Sequence, residues 1–221
     1  MNASVAPQRA SRTQAERTAE SDARMLDAAV RLIVERGADG ATLKDVGKLA
    51  GYSRGLASYR FGSKASLFSF IVRAVGEDWL RQLGEAVANK VGLDAIYAAT
   101  DAHYRFVLEA ADRIRAFYIL WFNSIGPDPE LKRVIANIHE RRQRDVEAWI
   151  QSGIEAGTVR DDADVRGTAE QFCAAIIGIV YQWLVTPDAH EHIHQLHHGL
   201  KQQMTSALGK SGSAPAVSEE T

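Results

Sequence analysis

Between residues 21 and 208 apolar side chains recur at i, i+3 and i+4 in almost every stretch, and no stretch of useful length alternates as a half-buried strand does. That periodicity restricts the chain to helix packed on helix, an all-α fold class. Met25, Ala28, Ala29, Leu32 and Ile33 make the first apolar stripe, with Ser21 as expected N-cap and Gly37 as stop. Thr42 begins a short second helix. Asp45, three residues on, forms a capping-box-like pair, with Leu43, Val46, Leu49 and Ala50 expected inward. Gly51 turns the chain and Tyr52 plugs the angle. Ser53 is the expected cap of a third helix of about two turns, burying Ala57 and Phe61. Ser63 caps a long fourth helix through Leu67, Phe70, Ile71, Ala74 and Val75, reaching about residue 89.

Five more helices follow: about 93–110, 113–124, 130–156, 165–185 and 189–208. The breakers between them are GPDPE at Gly126–Glu130, Gly157, the DDAD run and Pro187. The Ala-, Arg-, Ser- and Thr-rich residues 1–20 read as a mobile arm, and 209–221 as a disordered tail. The expected division is a first helical domain at 21–68, its fourth helix continuing as a connector to about 89, and a second helical domain at 90–208.

The chain of 221 residues is 46% hydrophobic with a net charge of −2, which hides an asymmetry. Residues 1–64 hold 11 Lys+Arg against 7 Asp+Glu, so the front end is the part fitted to a polyanion. A polar N-terminus predicts no secretory signal, no apolar run approaches the roughly 20 residues that span a bilayer, and the single Cys173 excludes an internal disulfide. A cytoplasmic protein without a membrane partner is expected.

Two short helices joined by a glycine-containing turn are the helix-turn-helix arrangement, whose second helix enters the major groove N-terminus first. Ser53 at the helix start leaves backbone N–H groups facing a phosphate. Arg54 at the tip can reach guanine O6 and N7. Gly55 removes a side chain where backbone nears the duplex. Tyr59, Arg60 and Lys64 offer a phenol and two cations to phosphates, and Lys44 can clamp the flanking strand.

The segments LDAAVRLIVERG and ATLKDVGKLAGYSRGLASYRFGSKASL, within Leu26–Leu67, closely resemble the N-terminal domain of the tetracycline-repressor (TetR) family of bacterial transcriptional regulators. The resemblance rests on the Ala-Ala of helix one, the Thr opening helix two, the Ala-Gly-x-Ser turn and the Phe-x-Ser-Lys opening helix four. It implies nine or so helices, a homodimer and a C-terminal ligand-binding domain. It also implies DNA contacts at Lys44, Arg54, Gly55, Leu56, Ser58, Tyr59, Arg60 and Lys64. The chain departs from the family where Ser58 replaces a usual tyrosine, Arg60 a frequent histidine and Val46-Gly47 an isoleucine-alanine pair. Arm residues Arg9, Arg12 and Arg17 either follow the minor groove or belong to a plain polar tail.

Aromatic residues concentrate in the second half and suit a cavity for an apolar or aromatic effector. Candidate lining residues are His103, Tyr104, Phe117, Tyr118, Trp121, Phe122, Trp149, Gln171 and Phe172, with Arg105 and Asn123 as further polar candidates. The helix at 165–185 is apolar nearly all round, so it is expected to pack on two sides. Ala174, Ala175, Gly178, Ile179, Gln182 and Trp183 are the candidate dimer interface, and a dimer would read two half-sites of a palindrome. His190, His192, His194, His197 and His198 invite a metal reading through their i, i+4 pairs, against a solvated or interfacial histidine-rich helix; no metal site is assigned. No nucleophile motif, phosphate loop or paired carboxylate in an apolar setting points to an enzyme or to a cofactor. The expected function is a ligand-responsive repressor of a palindromic operator. The alternatives are an activator of the same fold, or a helical module whose basic front end binds an acidic protein.

Overall fold

The computed structural model describes residues 13–210, apart from the side chain of Arg54. It contains nine helices and no strand among those residues: α1 Gln14–Gly40, α2 Leu43–Leu49, α3 Arg54–Phe61, α4 Lys64–Val87, α5 Gly92–Glu109, α6 Ala111–Asn123, α7 Pro129–Glu155, α8 Val165–Val185 and α9 His190–Leu208. The described chain divides between Leu67 and Phe68 into two compact units.

In the first unit α1 starts earlier than its apolar stripe requires. Thr13 accepts from the Glu16 N–H at 3.2 Å and the Glu16 carboxylate accepts from the Thr13 N–H at 2.7 Å, a reciprocal capping box. Residues 13–20 are therefore cap and helix rather than arm, and Ser21 lies inside α1; residues 1–12 are outside the described set. Gly37 breaks the helix as expected, at φ 72° and ψ 174°. Met25, Ala28, Ala29, Leu32 and Ile33 are buried, with Val46 of α2, Ala57 of α3 and Leu67 of α4.

Thr42 caps α2, accepting from the Asp45 N–H at 3.1 Å. The helix ends in a Schellman arrangement. Tyr52 N–H donates to the Gly47 carbonyl at 2.9 Å and Gly51 N–H to the Lys48 carbonyl at 3.2 Å. Gly51 sits at φ 81°, where a β-carbon is strained. Gly47 is buried, and a β-carbon there would stand 3.1 Å from the Ser53 carbonyl oxygen and 3.4 Å from Ala57 Cβ. The glycine that weakens α2 thus sits where α3 comes closest. Three expectations fail: Leu49 is 43% exposed, and Leu43 and Phe61 are only half-buried. At the head of α4 Ser63 accepts from the Ser66 N–H at 3.0 Å.

In the second unit α5 packs against α6, α7 and α9, and α8 against α7 and α9. Asp128 caps α7, with Pro129 at its first position, and Asp164 caps α8 by accepting from the Gly167 N–H at 2.9 Å. α8 corrects the sequence expectation about apolar runs: over 21 residues it is long and apolar enough to cross a membrane by length and composition. Ala169, Phe172, Cys173, Ile176, Ile179, Val180 and Trp183 nevertheless turn it into the protein's own core.

Candidate nucleic-acid interface and ligand cavity

The first site is built by α2, its Schellman turn and α3. Ser53 occupies the N-cap position of α3 with extended backbone, yet its hydroxyl makes no capping hydrogen bond. Ala57 fixes the helix from below, fully buried, so the opposite side of α3 is turned outward. Gly55, Ser58 and Tyr59 are on that exposed side, with Leu56 half-buried at its edge and Lys44 exposed on α2. Tyr59 is 89% exposed, an apolar-bodied side chain that the fold does not use. A β-carbon at Gly55 would meet nothing within 4 Å, so no protein atom demands the glycine. Arg54 opens α3, and its side chain lies outside the described residues.

Arg60 and Lys64 are engaged inside the protein. The Arg60 guanidinium donates from Nε to Asp22 Oδ1 at 2.9 Å and from Nη2 to Asp22 Oδ2 at 2.6 Å, a two-pronged bridge from α3 to α1. That hydrogen bond and the adjacent charge hold the Arg60 pKa above its ordinary value. Lys64 Nζ donates to the Asp39 carbonyl at 2.9 Å. These bridges came from partners far apart in sequence, and no local pattern announces them.

The second site lies among α4, α5, α7 and α8. A cavity of about 50 Å³ is lined by Trp79, Leu83, Ala99, His103, His139, Arg142, Asp145, Val146, Trp149, Phe172, Cys173, Ile176 and Ile177. Beside it a larger chamber of about 240 Å³ runs between α4 and α7 and shares Trp79 and Arg142 as walls. Of the candidate ligand residues, His103, Trp149 and Phe172 line the first chamber. Phe117 and Tyr118 join His103 around a space of about 10 Å³ that also borders Trp79 and Arg142. Trp121 stacks behind them, 5.7 Å from Phe117 and 5.8 Å from Tyr118. Four expectations are corrected. Trp121 itself lines none of these chambers. Gln171 is exposed, on the solvent side of α8. Tyr104 packs against His194 and His197, and Phe122 against Tyr181, so neither lines these chambers. Arg105 and Asn123 are likewise exposed.

Arg142 and Asp145, both half-buried, are the polar cavity residues that sequence reasoning missed. Arg142 donates to the Tyr118 hydroxyl at 3.3 Å and lies over the rings of Trp121 at 5.3 Å and Phe117 at 5.7 Å. Burial pushes the Asp145 carboxyl up, with Arg141 and Arg144 opposing. Burial also raises the Cys173 thiol to about 11, so this cavity thiol is a poor nucleophile.

His103 and His197 are both buried, and His103 Nδ1 lies 2.9 Å from His197 Nε2. Burial, then His197 and Arg142, hold the His103 pKa well below the usual histidine value. Burial lowers His197 too, with the Ile193 carbonyl opposing. The remaining members of the histidine run are dispersed: His192 bonds Gln182, His198 bonds Gln202 and His194 stacks on Tyr104. Spacing did carry a signal for His197. Ile193, His197, Leu200, Met204 and Leu208 form one stripe, and all are buried.

On α8 the dimer candidates divide. Ala174, Gly178 and Gln182 are exposed and Ala175 is half-buried. Ile179 and Trp183 turn into their own core, and Arg115 lies over the Trp183 ring at 5.1 Å. The outward stripe instead runs Ala174, Gly178, Tyr181, Val185, with Tyr181 57% and Val185 63% exposed.

A two-helix reading head with a glycine turn, joined in one chain to a helical bundle that encloses polar-edged chambers, defines a helix-turn-helix DNA-binding regulator rather than an enzyme. Residues 25–70 match the family model described as bacterial regulatory proteins, tetR family. The chain is 30% identical over 158 residues to the HTH-type transcriptional regulator CymR of Pseudomonas putida, covering 69% of this chain and 75% of CymR. It is 26% identical to IcaR of Staphylococcus aureus, the negative transcriptional regulator of the icaADBC biofilm operon, covering 72% and 80% of the two chains. In fold it matches SmeT, the repressor of a Stenotrophomonas maltophilia multidrug efflux pump, with TM-score 0.72, 19% identity and 91% and 98% coverage. The chain belongs to the TetR family of bacterial transcriptional regulators.

Proposed function

We propose that the protein is a homodimeric, cytoplasmic repressor that binds a palindromic operator and is released by a small molecule held in the second unit. The unit that ends at Leu67, with α1 from Gln14, is the DNA-binding domain, α4 continues as a connector, and residues 90–208 carry ligand binding and dimerisation. The observation that carries the reading is the outward face of α3, where Gly55, Ser58 and Tyr59 stand exposed behind the Arg54 position. Arg54 reads base edges, Tyr59 and Lys44 hold phosphates, and Gly55 admits the backbone. Arg60 and Lys64 brace the reading head through Asp22 and Asp39 and contact phosphate only by leaving those partners.

Repression is supported by IcaR, a negative regulator, and by SmeT, a repressor also known in complex with triclosan. Dimerisation is supported by the Ala174–Gly178–Tyr181–Val185 stripe, which leaves an apolar helix face uncovered within one subunit.

The test is selection of bound fragments from genomic DNA, followed by footprinting. The expected result is protection of a palindrome, with affinity falling steeply as salt rises. Substituting Arg54→Ala together with Tyr59→Ala is expected to abolish operator binding, about 1–3 kcal/mol per lost contact, while the melting temperature holds. Normal binding by that double variant would refute the recognition-helix assignment.

A further inference from the structure

The buried histidine pair fixes its own protons. A backbone carbonyl only accepts, so His197 Nδ1, 2.8 Å from the Ile193 carbonyl, must carry a hydrogen. In the neutral ring His197 Nε2 is then a bare acceptor, and the hydrogen between the two rings sits on His103 Nδ1. His103 Nε2 is thereby left as a lone pair, and no protein group bonds it among the described residues. His103 is 5% exposed and lines the 50 Å³ cavity. Among the described residues the buried side-chain atoms without a partner are Ser69 Oγ and Arg160 Nε, so His103 Nε2 is not sealed off; it is an acceptor that a molecule in the cavity can reach.

The neighbours narrow that donor. Arg142 and Asp145 both line the cavity, so an ammonium meets a like charge in the first and a carboxylate meets one in the second. A carboxylic acid beside Arg142 ionises and loses the proton it would donate. An uncharged hydroxyl keeps its proton in both settings. The inner chamber is smaller than the about 150 Å³ that accommodates a benzene ring, so it receives the hydroxyl end. The body lies against Trp79 and Arg142, the walls shared with the 240 Å³ chamber.

We propose that His103 Nε2 accepts a hydrogen bond from the hydroxyl of an uncharged phenol or alcohol, making a neutral hydroxylated molecule the ligand class of this cavity. The inference deepens the reading of the second unit as the effector site and rests on it only for the link to DNA.

Binding of phenol, anisole and toluene to the full-length protein is measured by calorimetry without DNA. Nitrogen-15 spectra of the histidine rings are recorded alongside. Phenol is expected to bind about tenfold or more tightly than anisole or toluene, because only phenol donates. The spectra are expected to place the hydrogen of both His103 and His197 on Nδ1, with His103 Nε2 shifting on phenol addition. In His103→Leu the preference for phenol is expected to collapse while toluene still binds. Equal binding of phenol and anisole, no binding of any probe, or a His103 hydrogen on Nε2 would each overturn the proposal. Should His103→Leu not fold, the wild-type comparison and spectra decide alone. Operator release is read separately. A phenol preference without release sinks the effector reading and spares the site, whereas loss of preference with intact operator binding does the reverse.

Discussion

At the scale of the residue, the His103–His197 pair ties ligand chemistry to stability. Both rings are held neutral by burial, so their folded pKa values lie below the ordinary value of about 6.5. Above that pH neither the folded nor the unfolded chain protonates them, and their contribution to stability is fully present. As pH falls through about 6.5 the unfolded chain takes up protons that the folded chain refuses, so stability declines by up to about 1.4 kcal/mol per pH unit for each histidine. Arg142 from α7 and His194 and Lys201 on α9 sharpen this, while Asp101 on α5 opposes it. Denaturant midpoints between pH 8 and 5 check the expectation: the wild type should lose more stability than His103→Leu. An equal decline in both would assign the acid sensitivity elsewhere. The sequence reading leaves His197 in a solvated or interfacial histidine run, although its spacing from Ile193 and Leu200 matches the buried stripe that the structure shows. The partner of His197, 94 positions away, was invisible, because a hydrogen bond between two helices leaves no local period.

At the scale of the element, α2 and α3 were readable because their signals are local. Thr42 with Asp45, and Gly51 at the turn, each act within a few residues, and both stand as expected in the structure. Gly51→Ala has open space for its β-carbon, so its cost is backbone strain alone. The expected loss is about 1–2 kcal/mol, read as a lower denaturation midpoint. The start of α1 was misread because Thr13 and Glu16 cap it before any apolar residue signals a helix. The Arg60–Asp22 bridge was unreadable for a different reason: its partners are 38 residues apart. That bridge is half-exposed and contributes under about 1 kcal/mol to stability. Its larger effect falls on DNA, since Asp22→Asn releases a cation beside the reading face. The variant is expected to bind nonspecific duplex more tightly, with the slope of log affinity against log salt steeper by about 0.9. An unchanged slope would mean that Arg60 never reaches a phosphate.

At the scale of the whole molecule, the question is what covers α8. The sequence reading expects the helix to be covered on two sides, and one of them is buried within its own unit. It does not assign the two faces, because Gln182 is the one strongly polar residue in FCAAIIGIVYQWLV and a single residue does not define a stripe. The structure assigns them by burial: Ile179 and Trp183 inward, Gly178, Tyr181 and Val185 outward. A second copy meeting that stripe across a two-fold axis would cover it with an identical stripe, the arrangement of an isologous dimer. Gly178 has nothing within 4 Å of a β-carbon, so Gly178→Glu can be placed without disturbing its own subunit. In a dimer the same change brings two carboxylates together in an apolar contact, where their desolvation is uncompensated. Sedimentation should then show a monomer with unchanged helix content and melting of the isolated subunit. Operator affinity should fall as well, since one recognition helix alone reads only half a palindrome. A Gly178→Glu protein that still sediments as a dimer would move the interface off this stripe. If it sediments as a monomer yet binds the operator at full strength, two-fold reading of DNA would fail instead.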